Sequence, residues 1–166
     1  MQDWIFSIIL YPLIYIFPSY VANGAPVIFG GGRPIDNGRR IGGKPIFGPH
    51  KTVRGLAAGI ASGAVIGAIE SVYLPYMLVI GIAMSIGTHA GDLIGSFLKR
   101  RIGRSSGESV FLLDQYSFLV FALLFALPFG NIPEAYGILF IIILTGILHK
   151  GTNVIAHALK LKHVPW

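Results

Sequence analysis

The chain has 166 residues, a mean hydropathy of +0.71 and 12% charged residues, against about 25% in a soluble domain. Its 54% hydrophobic residues fall in long blocks, more apolar surface than a water-soluble fold of this size can hide, since such a fold leaves roughly a third of its surface outside. The absence of cysteine excludes disulfides, thiolate metal sites and cysteine nucleophiles, while the net charge of +6 suits nucleic acid, anionic lipid or a phosphate-bearing substrate until the positions of the charges decide.

A membrane-crossing helix needs about 20 mostly apolar residues, and five stretches qualify: 4–22, 55–73, 75–97, 117–132 and 135–158. The first opens Met1-Gln2-Asp3-Trp4 without a positive n-region. With Pro12 and Pro18 and no small-residue cleavage site, it reads as a retained span. The fourth is short by hydropathy and is expected to start within the polar motif before it. The whole of 1–166 reads as one transmembrane domain, an all-α bundle of about five helices.

Between the first two spans lie Arg33, Arg39, Arg40, Lys44, Lys51 and Arg54; after the third come Lys99, Arg100, Arg101 and Arg104; the tail holds Lys160 and Lys162. The other connections carry only Glu70 and Glu134, and the N-terminus Asp3. The positive-inside rule then puts the N-terminus out, the C-terminus in, and both long loops in the cytoplasm. This is the expected topology of a multi-pass protein of the cell membrane with its polar site facing the cytoplasm. Arg39, Arg40 and Arg101 read best as positive-inside anchors.

The second span repeats Gly55, Gly59, Gly63 and Gly67, and the third Gly87, Gly91 and Gly95. Small residues at this spacing let helix backbones approach closely in lipid, and packing is the reading for nearly all of them.

The chemistry concentrates at the end of the third span, in Gly87-Thr88-His89-Ala90-Gly91-Asp92-Leu93-Ile94-Gly95-Ser96-Phe97-Leu98-Lys99-Arg100. His89, Asp92, Ser96 and Lys99 share one helix face by their spacing. An intramembrane carboxylate is a functional-site hypothesis by default. The purely structural alternative is an Asp92–Lys99 or Asp92–His149 pair that locks helices. A second carboxylate, Asp114, in Leu113-Asp114-Gln115-Tyr116-Ser117, reads equally as a helix cap or, with Asp92, as a ligand to a hard divalent cation, Mg²⁺ or Mn²⁺.

In the first long loop, Gly30-Gly31-Gly32-Arg33-Pro34-Ile35-Asp36-Asn37 is followed by Gly48-Pro49-His50-Lys51-Thr52-Val53-Arg54-Gly55. The second block leads into a helix, where free amides with Lys51, Thr52 and Arg54 suit a phosphate; it is not a Walker A sequence. The last span presents His149, Asn153 and His157 at four-residue spacing, for hydrogen bonding or for ligand. Two aspartates, many cations and Gly-rich turns point to phosphoryl chemistry, in which a protein mainly positions groups and neutralises charge.

Gly91-Asp92-Leu93, Ser96-Phe97-Leu98-Lys99-Arg100, Gly103 and Leu113-Asp114-Gln115 together resemble the signature of the CDP-diacylglycerol synthase superfamily, most closely its archaeal branch, the CDP-archaeol synthases. Tyr20-Val21-Ala22-Asn23, the glycine run with Pro34-Ile35-Asp36, Lys51-Thr52-Val53-Arg54-Gly55, Thr152-Asn153 and Val164-Pro165-Trp166 extend the resemblance along nearly the whole chain. It implies a magnesium-dependent nucleotidyltransferase that joins CTP to a polyprenyl glycerol phosphate lipid, 2,3-bis-O-(geranylgeranyl)-sn-glycerol 1-phosphate, with release of diphosphate. Membrane lipids are then its surroundings, nucleic acid is no partner, and a homodimer is one arrangement left open.

The resemblance implies that Asp92 and Asp114 hold Mg²⁺ and that Ser96, Lys99 and Arg100 are the family's serine and basic pair. Lys51, Thr52, Arg54, Asn23, Asp36, His149 and Asn153 are the candidate substrate-binding residues. Ser117 stands where the signature usually has a second acidic residue, so either two aspartates suffice or Glu108 or Asp36 completes the site. A phosphatidate cytidylyltransferase of the same chemistry is one alternative. An ion-coupled transporter relaying through Asp92 and His149 is another, and it predicts polar residues spread through the membrane depth. A non-catalytic scaffold is a third.

Overall fold

A computed structural model describes residues 2–108 and 110–160 of the chain. The protein is an all-α integral membrane bundle in which five helices are long and apolar enough to cross a bilayer. The first crossing is continuous: α1 (Gln2–Ile5), a π turn over Phe6–Leu10 and α2 (Tyr11–Phe29). A two-stranded antiparallel hairpin follows, β1 (Arg40–Ile41) and β2 (Lys44–Pro45). Then come α3 (Val53–Glu70), α4 (Met77–Arg101), α5 (Phe111–Ala126), a 3₁₀ turn over Leu127–Phe129, and α6 (Ala135–Ala158).

The five expected spans all exist, but four have different ends. The first runs seven residues beyond 22, to Phe29. Asn23, Gly24 and Pro26 read as helix breakers, yet in lipid such residues stay helical where neighbouring elements satisfy the freed backbone. The second starts at Val53 because Thr52 caps it, and ends at Glu70 rather than 73. The third continues past 97 to Arg101, its last-turn cations Lys99, Arg100 and Arg101 facing the negative end of the helix dipole. The fourth starts at Phe111, inside the polar motif, and ends at Ala126, two residues before Pro128. The fifth coincides with the expected 135–158.

α4 is the centre of the bundle, packed against α2, α3 and α5, while α6 lies on α2 and α5. The apolar core joins Tyr15, Ile16, Met77, Ile80, Met84, Phe118, Leu119 and Ile141 from four helices. Outward faces carry exposed Val65, Ile69, Ile143 and Ile147, the side that lipid covers.

Glycine sets the helix spacing. Gly55, Gly59, Gly63 and Gly67 are all buried. A Cβ at Gly67 would stand 2.7 Å from the Met77 carbonyl oxygen, and one at Gly91 would stand 2.2 Å from the Ser117 carbonyl oxygen. α3 and α5 therefore pack backbone to backbone on α4, as the glycine spacing predicts.

Candidate active site

Five crossings with short connections at one end bring the ends Phe29, Val53, Arg101, Phe111 and Ala158 to the other, together with both polar loops. The carboxylates singled out in the sequence sit there, but not with the partners that helix spacing proposes. Asp92 pairs with neither Lys99 nor, among the described residues, any residue of α6; the side chain of His149 lies outside the described residues. Instead Lys51, at the end of the first loop, places its Nζ 2.6 Å from both Asp92 oxygens. Lys99 reaches across to α5 and binds Oδ1 of Asp114. Both pairs are partly screened from water, at 28% and 33% exposure for Lys51 and Asp92 and 13% and 20% for Lys99 and Asp114.

Asp114 also carries out much of the helix-start role read from its sequence. It is not the cap itself; its Oδ2 accepts the backbone N–H of the cap residue Val110 at 2.7 Å. One carboxylate thus starts α5 and ties it to α4.

Thr52 is the N-cap of α3: it is extended at φ −111°, and its Oγ1 accepts the Gly55 N–H at 3.1 Å. This cap, with the Pro34–Thr52 bridge, holds Lys51 beside Asp92. Arg54, one turn on, is exposed, and Asn23 is half-buried on α2. Ser96 and Arg100 are buried on α4, and Asn153 is buried on α6. His89 is buried one turn before Asp92 with its ring against Gly59, where any side chain would collide. Its Nε2 has no hydrogen-bond partner among the described residues.

Asp36 organises the loop. Its Oδ1 accepts the Gly38 N–H at 3.0 Å, and its Oδ2 accepts the Phe47 and Gly48 N–H groups at 2.9 Å each. Burial pushes its pKa up, but these amides outweigh it and hold the carboxyl below its ordinary 3.8. Both oxygens accept backbone N–H groups, so Asp36 holds the loop together. Glu108 is exposed and lies 3.6 Å from Arg104; hydrogen bonds from Ser105 lower its pKa. Ser117 turns its hydroxyl to the Leu113 carbonyl at 2.5 Å and packs on Gly95.

Sequence reading missed two features. Arg101, taken as an anchor, donates to three hairpin carbonyls: Ile41 at 2.5 Å, Lys44 at 3.2 Å and Pro45 at 2.5 Å. A cavity of about 260 Å³ lies between that hairpin and the α4–α5 turn, lined by Lys44, Arg100, Arg104, Ser105 and Ser106 among others. The one available signal was the Gly103-Arg-Ser-Ser-Gly107 run, a turn sequence with two hydroxyls beside a basic pair.

The comparisons with known proteins agree in kind. Residues 5–166 match the family model described as CarS-like, CDP-archaeol synthase. The chain is similar to the CDP-archaeol synthase of Pyrococcus furiosus, with 43% identity covering 92% of this chain and 95% of the relative. It is similar to that of Methanopyrus kandleri at 42% identity, covering 93% and 91%. A solved structure, reported as structural insight into an intramembrane enzyme for archaeal membrane lipids biosynthesis, superposes with a TM-score of 0.82 at 34% identity. That match covers 88% of this chain and 94% of the other.

Proposed function

The chain belongs to the CDP-archaeol synthase family, and from that premise we propose that Asp92 and Asp114 hold a magnesium ion for a cytidylyl transfer in which Lys51, Lys99 and Arg100 receive the phosphates. The activity is that of the family: a cytidylyltransferase of archaeal lipid biosynthesis, with CTP and an archaeal lipid phosphate as substrates. The residue roles, the metal, the geranylgeranyl tails and the cytoplasmic orientation are our reading.

The donor chemistry fits a hard cation. Two carboxylates with the Ser96 and Ser117 hydroxyls on the same helices supply oxygen donors only. Among the described residues no cluster of three or more His, Cys, Asp or Glu stands ready for a metal. Magnesium is commonly held by one or two carboxylates plus the substrate's phosphates, so two aspartates suffice. When bound, it supplies positive charge to the triphosphate.

The chain's own residues do the rest. An oxygen of the lipid phosphate attacks the α-phosphorus of CTP; that P–O bond forms, the bond to the β-phosphate breaks, and diphosphate leaves. The attacking phosphomonoester is already largely ionised, its second pKa being about 6, so no general base is needed. Lys51 and Lys99 rest on these carboxylates until ligands enter, and would then neutralise charge as it moves to the leaving group. Nucleotide arrives from the cytoplasm and the lipid tails stay between helices.

The observation that carries this reading is the pair of lysine–carboxylate contacts, Lys51–Asp92 and Lys99–Asp114, at the polar end of α4 and α5. A relay through the membrane would need ionisable groups along its depth, whereas the lysine–carboxylate pairs stand at one end. The test supplies purified protein with Mg²⁺, labelled CTP and geranylgeranylated glycerol 1-phosphate. Labelled lipid is expected from the wild type, and Asp92→Asn and Asp114→Asn should each lose at least about 100-fold. Near-normal product from either variant would remove that carboxylate from the site. Product with phosphatidate alone would keep the reaction and replace the lipid.

A further inference from the structure

Arg101 is a cation at the end of a membrane helix, and as such needs no further role. Its contacts give it one. The guanidinium spreads over three carbonyls of the β1–β2 hairpin, and its Cζ lies 5.0 Å above the Phe97 ring. The hairpin returns the contact: Lys44 Nζ donates to the Arg101 carbonyl at 3.1 Å. A planar guanidinium presents five donors in a fixed fork, and an ammonium cannot reproduce that geometry.

The hairpin is otherwise weakly held. It has two residues per strand, closed by Gly42 and Gly43 at φ 57° and 76°, a pair suited to a type I′ turn. An isolated hairpin is marginal in water, so its position depends on what it docks against. What it walls is the cavity of about 260 Å³. Behind that wall Arg100 is 4% exposed, its Nε has no hydrogen-bond partner, and no acidic group pairs with it among the described residues. A guanidinium stays charged, and a buried charge without a counter-charge is costly. Lys44 and Arg104 line the same space with two serines, and among the described residues no carboxylate does. Such a cavity calls for a polyanion.

We propose that Arg101 is a positioning residue: it latches the hairpin to the end of α4 and so builds the wall of a phosphate-binding cavity whose buried cation is Arg100. The inference rests on the cytidylyltransferase reading, and the phosphate can be the nucleotide's or the lipid's.

The experiment compares wild type, Arg101→Ala and Arg101→Lys in detergent, measuring kcat and the KM of each substrate, with inorganic diphosphate binding by calorimetry. A charge-assisted hydrogen bond is worth enough to predict a roughly 10- to 100-fold rise in one KM for Arg101→Ala. Diphosphate binding should weaken in parallel, and kcat should change far less. Arg101→Lys should recover little of it. A rise confined to CTP makes the cavity the nucleotide's; a rise confined to the lipid phosphate makes it the lipid's.

Full rescue by lysine would show that charge alone matters and return Arg101 to an anchor. Unchanged KM values and unchanged diphosphate binding in a folded Arg101→Ala would also overturn the proposal. Absence of any transfer from CTP in the wild type would defeat the functional reading itself, and this inference with it.

Discussion

Replacing Gly91 by alanine tests whether backbone contact between α4 and α5 sets the geometry of the site. The added Cβ would lie 2.2 Å from the Ser117 carbonyl oxygen, 2.8 Å from its carbon and 2.9 Å from the Phe118 Cα. Comfortable contact between such atoms begins near 3.5 Å, so the helices must part by about 1 Å, and no flexible side chain is available to yield. Overpacking of this kind costs about 1–3 kcal/mol. The displacement falls between Asp92, beside Gly91, and Asp114, one turn before Ser117, and a misplacement of about 1 Å costs on the order of 100-fold in rate. Thermal unfolding in detergent and the labelled-lipid assay should therefore fall together. Gly24→Ala, which meets nothing within 4 Å, controls for the gain in helix propensity and should be neutral or mildly stabilising. A Gly91→Ala protein with wild-type Tm and kcat/KM would refute the claim that close α4–α5 contact positions the carboxylates.

Asp36→Asn should open the first loop to protease between residues 34 and 50 while leaving the helices intact, because the amides of Gly38, Phe47 and Gly48 lose their carboxylate. The Asp36 pKa is lower folded than unfolded, so its stabilisation is present above the ordinary 3.8 and is lost as pH falls through the folded value. Loop proteolysis in the wild type should stay flat from neutrality to about pH 4 and rise below it, a rise that Asp36→Asn lacks. Thr52→Ala should destabilise by about 1 kcal/mol through loss of the α3 cap, and Thr52→Ser should recover most of it; equal Tm values for all three proteins would deny the cap.

The pairing of charges has a consequence for how ligands enter. Asp92 has both oxygens on one ammonium, and Asp114 has one oxygen on Lys99 and the other on the Val110 amide. A cation that coordinates either carboxylate must compete with a lysine, and the released ammonium has phosphate oxygens as its natural next partner. On the proposed reading, nucleotide and metal entering together would satisfy both exchanges.

Sequence alone determined the class of molecule and marked which polar side chains are unusual in a membrane bundle. Five apolar blocks can exist only in lipid, because no soluble fold of 166 residues hides them. Glycines every four residues announce close helix contact. Asp92 and Asp114 stand out because carboxylates in apolar helices need a reason. The helix ends were less legible, because breakers such as Pro26 lose their force where neighbours satisfy the backbone. Partners were not legible at all. Helix periodicity relates residues three and four apart on one element, so it offered Lys99 to Asp92. The actual pairs join positions 41 and 15 residues apart, through a loop and across two helices. Arg101 shows the same limit: its charge was readable, but its grip on three carbonyls depends on where a distant hairpin folds back. Local pattern says which side chains are unusual; only tertiary packing, by bringing separate segments within hydrogen-bond reach, decides what each of them holds.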